Sequence, residues 1–141
     1  MDKLSRNYLE KEALFYGCSL KDKRFCELAH KSLSENGIKL YPVGNSQDGS
    51  FSFKVYNNLD ELPEIPSFAY IVSDKDETRK IVSRLHELGV KKILFNSKNC
   101  VDKDTLNECE KMGMQTIVAC PMMVLRSGSC RIHAFFAGVK R

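Results

Sequence analysis

A junction that occurs three times limits how this chain can fold. Asn36-Gly37-Ile38, Leu88-Gly89-Val90 and Met112-Gly113-Met114 each end a stretch of helical periodicity in glycine and pass at once into an apolar run. Glycine adopts the left-handed conformation just past a helix end at no steric cost, so each junction reads as helix, glycine stop, strand. Phe25, Leu28, Ala29 and Leu33 form the apolar stripe before the first junction. Thr78, Ile81, Val82, Leu85 and Leu88 form the second stripe, and Leu106, Cys109 and Met112 the third. Strand-length apolar runs fall at 13–16, 38–43, 68–72, 92–95 and 114–119. The run Phe68 to Val72 is almost wholly apolar, as expected of a central parallel strand covered on both faces. Strand–helix alternation with such short connections predicts an α/β fold. The expected architecture is a three-layer sandwich: a mostly parallel sheet of about five strands, helices on both faces, and right-handed crossovers.

The 141 residues are read as one domain. Residues 1–11 are expected to form a short leading helix with Leu4, Tyr8 and Leu9 on its apolar side. Residues 46–50 read as a polar loop, 51–56 as an extended piece, and Leu59 to Pro63 as one helical turn closed by proline. Ser73 or Asp74 is placed to cap the second helix, and Asp102 or a neighbour the third. Pro121 suits the first position of a helical turn through Val124, and 122–141 reads as a basic and aromatic tail.

Composition narrows the function classes. Hydrophobic residues make up 43% and charged residues 28%, ordinary values for a globular protein, and no apolar run approaches the roughly 18–20 residues of a membrane span. The N-terminal stretch is polar, without an apolar signal core, so the chain is expected to be cytoplasmic. Its six cysteines are accordingly read as thiols, and no Cys-x-x-Cys pair points to zinc. Cys26-x-x-x-His30 with Cys130-x-x-His133 offers four ligands on paper, but Cys26 falls on the apolar stripe of a helix, and no metal is expected. The net charge of +4 is concentrated from Lys111 onward, where five basic residues meet no acidic one. Basic and aromatic residues mixed in the tail are one way to bind single-stranded nucleic acid. Packing of Ile132, Phe135 and Phe136 on the domain, or onto a second copy as a homodimer, is the favoured reading.

In an open parallel sheet the ligand crevice lies beyond the carboxyl ends of the strands, where the strand order reverses. The stretch Phe15 to Phe25 reads as a buried strand running through Gly17 into the first turn of a helix. Such a turn presents backbone N–H groups, backed by the helix dipole, to phosphate or another anion. Gly17 permits close backbone approach, Ser19 offers a hydroxyl, and Lys21, Lys23 and Arg24 bring positive charge. Asn45, after the second strand, suits a base or ribose. The turn Gly17-Cys18-Ser19 lacks the further glycines of the dinucleotide fingerprint, and Tyr41 to Asn45 carries no acid for an adenosine ribose. A nicotinamide dinucleotide is therefore not expected.

No catalytic set emerges, and the chain is not expected to be an enzyme. His30 and His86 lie in helix patterns and His133 in the tail, none beside a serine or aspartate that suggests a relay. Cys18 and Cys120 are the candidates for thiol chemistry, including a mixed disulfide with a thiol ligand, but both are expected to be small buried side chains.

These residues, in this order, resemble the CoA-binding domain family, small Rossmann-like proteins related to the CoA-binding domain of succinyl-CoA synthetase. The likeness rests on Gly17-Cys18-Ser19, Arg24-Phe25, Gly37, Tyr41-Pro42-Val43-Gly44-Asn45, Val55-Tyr56-Asn57-Asn58-Leu59-Asp60-Glu61-Leu62-Pro63, Glu87-Leu88-Gly89-Val90 and Cys120. It spans about residues 13 to 121. The resemblance implies a module that binds CoA or an acyl-CoA, with the phosphates near the first strand–helix turn and the adenine side near the end of the second strand. It places Gly17, Cys18, Ser19, Lys23, Arg24, Phe25, Val43, Asn45, Ser73 and Cys120 at the site. The sequence departs from the family at Ser73-Asp74-Lys75-Asp76, where many members carry proline, and at Phe95 to Asn99, where a Gln and a Gly are usual. Two alternatives remain open: a domain for another adenine ligand or a protein partner, and a subunit of a CoA-dependent enzyme.

Overall fold

The computed structural model describes residues 8–45 and 51–121, without the side chains of Leu20 and Asn45. Its elements follow in the order β1 (Glu12–Ser19), α1 (Lys23–Glu35), β2 (Lys39–Asn45), β3 (Phe68–Ile71), α2 (Lys75–Glu87), β4 (Lys92–Phe95), α3 (Lys103–Lys111) and β5 (Gln115–Val118). One-turn helices lie at Leu20–Asp22 and Leu59–Glu61. The strands form one sheet in the order β2-β1-β3-β4-β5, every pair parallel. The expected α/β architecture is thus observed, with a sheet that is wholly rather than mostly parallel. From β1 the chain goes first to β2 on one side and then to β3 on the other, so the strand order reverses between β1 and β3.

Alternation along the strands divides the core. Ala13, Phe15, Phe68, Tyr70 and Leu94 pack with Cys26, Ala29 and Leu33 of α1 on one face. Leu14, Ala69, Ile71, Ile93 and Phe95 pack with Val82, Leu85 and Cys109 of α2 and α3 on the other. Successive side chains of a strand point to opposite faces, and here both faces are apolar because both are covered. Phe15 and Tyr70, from adjacent strands, stack with ring centroids 5.4 Å apart and planes 6° from parallel.

The helix ends follow the sequence signals. The glycines after α1, α2 and α3 have φ of 82°, 101° and 83°. Asp74 and Asp102 accept hydrogen bonds from the backbone N–H groups of Glu77 and Thr105 at 2.9 and 2.7 Å. Arg79 on α2 reaches Asp102 at 2.5 Å and so joins the starts of the two helices on that face. This contact holds the Asp102 carboxyl well below the usual carboxylate range.

Of the expected leading helix only the end is described, and there Tyr8 is in a 3-10 helical conformation. Residues 9–11 are non-helical, and residues 1–7 lie outside the described part. The Lys11 carbonyl accepts from the Lys39 N–H at 2.8 Å, which carries the sheet pairing back before β1. Tyr8 sets its ring edge-on to Phe68, with centroids 5.9 Å apart, and donates its hydroxyl to the Ile93 carbonyl at 3.1 Å. The 46–50 loop, the turn through Val124, the tail, and Cys130 and His133 also lie outside the described residues.

Phe15 lies at the centre of the sheet, fully buried and stacked on Tyr70. Replacing it with alanine should cost about 3–5 kcal/mol of unfolding free energy, measured by urea titration. A loss below about 1 kcal/mol would contradict this account of the core.

Candidate functional site

β1 does not stop at Gly17. It continues to Ser19 through an irregularity between Tyr16 and Cys18, where Gly17 takes a φ of 111°. A Cβ on Gly17 would lie 2.5 Å from the Ser73 nitrogen, and one on Gly44 would lie 1.9 Å from the Cys18 carbonyl oxygen. Two side-chain-free positions therefore let the carboxyl ends of β1, β2 and β3 close together. Those ends form the floor of a crevice at the strand-order reversal, where the topology places a ligand.

The crevice has two lobes that share Lys21, Asp22 and Val72 to Asp74. The first, of about 820 Å³, opens over β1 and β2 and is walled by Tyr16 to Ser19, Val43, Gly44, Asn57 to Asp60, Glu77, Ile81 and Arg84. The second, of about 650 Å³, opens over β3 and β4 between Arg24, Phe25 and Leu28 on one side and Asn96, Ser97, Asn99 and Cys100 on the other.

The wall formed by Asn57 to Asp60 has a backbone cause. Tyr56 pairs with the outer edge of β2, donating its N–H to the Pro42 carbonyl at 2.8 Å and accepting from the Gly44 N–H at 2.9 Å. The following turn is thereby carried over the β2 end. Asn58 caps it by accepting the Asp60 N–H at 2.9 Å, and Leu59 is buried in the core.

Most polar groups around the crevice have definite partners. The Tyr16 hydroxyl donates to Glu77 at 2.7 Å, and burial together with that carboxylate pushes the phenol well above its ordinary pKa. Arg84 meets Asp60 at 2.6 Å and Glu87 at 3.8 Å. The Tyr70 hydroxyl donates to Asn96 Oδ1 at 2.6 Å, which fixes that amide at the edge of the second lobe. Asp74 faces the N-terminal N–H groups of α2. Asp22, which precedes α1, makes no such capping bond with its side chain, unlike Asp74 and Asp102 before the other two helices.

The residues singled out from the sequence are distributed unevenly. Gly17, Cys18, Ser19, Val43 and Ser73 line the first lobe, and Arg24, Phe25 and Ser73 line the second. Lys23 is exposed and lines neither lobe, whereas Lys21 faces both. Asn45 pairs through its backbone with Ser19, and its side chain is outside the described part. The Ser73 hydroxyl lies 3.0 Å from that of Thr78 and is 8% exposed, so it braces the start of α2.

Cys18 is 1% exposed and packs in the core on the α1 side. Its hydrogen bond with Cys26 and its burial push the thiol far above its ordinary value, so it is held as a thiol rather than a thiolate. Cys120, half-buried after β5, packs against that same core and lines neither lobe. His30 stacks on Phe53 with centroids 3.9 Å apart, and burial lowers its pKa, which favours the neutral ring. Among the described residues no group of three or more His, Cys, Asp or Glu is gathered in a way that would hold a metal ion, and no helix is long and apolar enough to cross a membrane.

A parallel α/β sheet with a ligand-sized crevice at its switch point defines a Rossmann-like domain. The chain belongs to the CoA binding domain family, whose model matches residues 11–126. Among solved structures it is similar to Prb, a protein redesigned for binding, with 21% identity, a TM-score of 0.69, and coverage of 91% of this chain and 84% of that one. A hypothetical protein from Pyrococcus horikoshii OT3 matches with 17% identity and a TM-score of 0.67, covering 98% and 99% of the two chains. A protein from Thermus thermophilus matches with 14% identity and a TM-score of 0.66, covering 84% and 90%. At these identities the likeness shows the fold. No curated protein matches the chain.

The close approach at Gly17 gives a direct test. Gly17→Ala should destabilise the protein by more than about 2 kcal/mol, because a strained φ is joined by collision with the Ser73 backbone. Gly89→Ala, at positive φ but in open space, should cost about 1 kcal/mol. Equal losses in urea unfolding would mean that Gly17 does not set the strand spacing.

Proposed function

We propose that the chain binds CoA or an acyl-CoA in this crevice, as a non-catalytic or accessory module. The observation that carries the proposal is the family match over residues 11–126, which takes in every residue lining both lobes. Each lobe falls within the roughly 300–1,000 Å³ typical of ligand pockets, and together they suit a long ligand with two unlike ends. Lys21 stands where the lobes meet, next to the turn into α1, and Arg24 stands at the mouth of the second lobe. A pyrophosphate at that junction would meet Lys21 and the N-terminal dipole of α1, with Arg24 on the second-lobe side, beside the carboxylates of Asp22 and Asp74.

The adenosine end is assigned to the lobe over β2, where Asn57, Asn58 and Asp60 supply hydrogen-bonding groups. The pantetheine arm is assigned to the second lobe, whose Phe25, Leu28 and Val72 offer apolar surface beside the Asn96 and Asn99 amides. A non-catalytic role is supported by the engagement of the reactive side chains: the Cys18 thiol is buried, the Ser73 hydroxyl is on Thr78, and His30 is stacked on Phe53.

Calorimetric titration of the reduced protein tests the proposal. CoA should bind at a single site and NAD should not. Arg24→Gln should weaken CoA about tenfold by removing a charge-assisted contact. Lys23→Gln, at a position lining neither lobe, should change affinity less than threefold. No heat with CoA at millimolar concentration would overturn the assignment.

A further inference from the structure

The first lobe carries a charge excess that bears on which CoA-type ligand it accepts. Its walls present four carboxylates, Asp22, Asp60, Asp74 and Glu77, against two cations, Lys21 and Arg84. Of the two cations, Arg84 is already engaged by Asp60 at 2.6 Å and by Glu87 at 3.8 Å. The chain from Phe51 to Ser67, of which Asn57 to Asp60 wall this lobe, contains a single basic residue, Lys54. The Lys54 ammonium lies over the Tyr56 ring, 4.7 Å from its centroid. Lys21, Asp22 and Asp74 stand at the junction shared with the second lobe, so the lobe beyond it presents Asp60 and Glu77 against Arg84 alone, which Asp60 already holds, and is net negative.

CoA and dephospho-CoA differ by one group, the 3′-phosphate on the ribose. In the orientation proposed above, the pyrophosphate lies at the junction and the ribose reaches into the first lobe. A 3′-phosphate there is a second dianionic group facing an excess of carboxylate, whereas a 3′-hydroxyl is a donor that a carboxylate accepts. Dinucleotide-binding sheets choose in the same way between a ribose hydroxyl and a ribose phosphate, with an acid for the first and an arginine for the second. In this chain the acid comes from the one-turn helix beside β2, not from the end of β2, and it holds the arginine that a phosphate would need.

We infer that the first lobe selects a CoA-type nucleotide whose ribose 3′-hydroxyl is free, with Asp60 as the specificity-determining residue. The inference rests on the CoA reading of the crevice and goes beyond it by ranking the ligands within that class. Paired titrations of the wild-type protein with CoA and dephospho-CoA should give about tenfold tighter binding of dephospho-CoA at low salt. In 1 M salt, where screening acts over about 3 Å, that preference should fall below threefold.

Asp60→Asn releases Arg84 and should bring the two affinities within threefold or turn the preference toward CoA. Glu77→Gln should narrow the preference without reversing it. The wild-type comparison and its salt dependence stand whether or not either variant folds. Equal affinities, or tighter CoA binding, in the wild-type protein would overturn the inference and leave the CoA reading in place. Failure of both ligands to bind would overturn both.

Discussion

The close backbone contact among the carboxyl ends of β1, β2 and β3 is the constraint on which the rest of the site depends. Gly17 against Ser73 and Gly44 against Cys18 are approaches that a Cβ would prevent. They bend β1 through its irregularity and carry it past Gly17 to Ser19, so that the chain enters α1 only after the extra turn Leu20–Asp22. The entry to α1, the loop after β3 and the turn beside β2 all face one crevice as a result. Backbone geometry places this crevice, and the side chains then give its two lobes different chemistry.

That chemistry is divided by strand. On the β3 and β4 side, apolar surface from Phe25, Leu28 and Val72 lies beside the Asn96 side-chain amide, held by Tyr70, and the Asn99 backbone N–H, which donates to the Ser97 hydroxyl. On the β1 and β2 side, the carboxylates already hold Tyr16 and Arg84. Cys18 and Ser73 border the first lobe, but both side chains are buried. Cys18, in the turn itself, points into the core on the α1 face, where burial and Cys26 keep its proton on.

Much of the fold was legible because local signals and burial agree. The three helix–glycine–strand junctions are where the sequence puts them, each glycine with positive φ, and the Asp74 and Asp102 caps form as expected. Before β1, Lys11 and Tyr8 are engaged by the sheet, a tertiary effect that residue spacing does not contain. The site was legible in part. The switch-point rule reached Gly17 to Phe25, Ser73-Asp74 and the loop after Phe95, because those positions follow strands directly. It missed Asp60 and Arg84, since Asp60 arrives through the pairing of Tyr56 with the edge of β2 and Arg84 comes from the third turn of α2. The end of β2 carries no acid, and Asp60 reaches the first lobe from another segment.

The central claim is that a CoA-type ligand lies along the junction of the two lobes. Backbone amide shifts of the nitrogen-15-labelled protein, followed by NMR as CoA is added, test it most directly because they report position without any substitution. The account predicts that the largest changes fall on Gly17 to Asp22 and Val72 to Asp74, with smaller ones on Asn57 to Asp60 and Asn96 to Cys100. Changes confined to the outer faces of α2 and α3, with Gly17 to Asp22 unmoved, would contradict it.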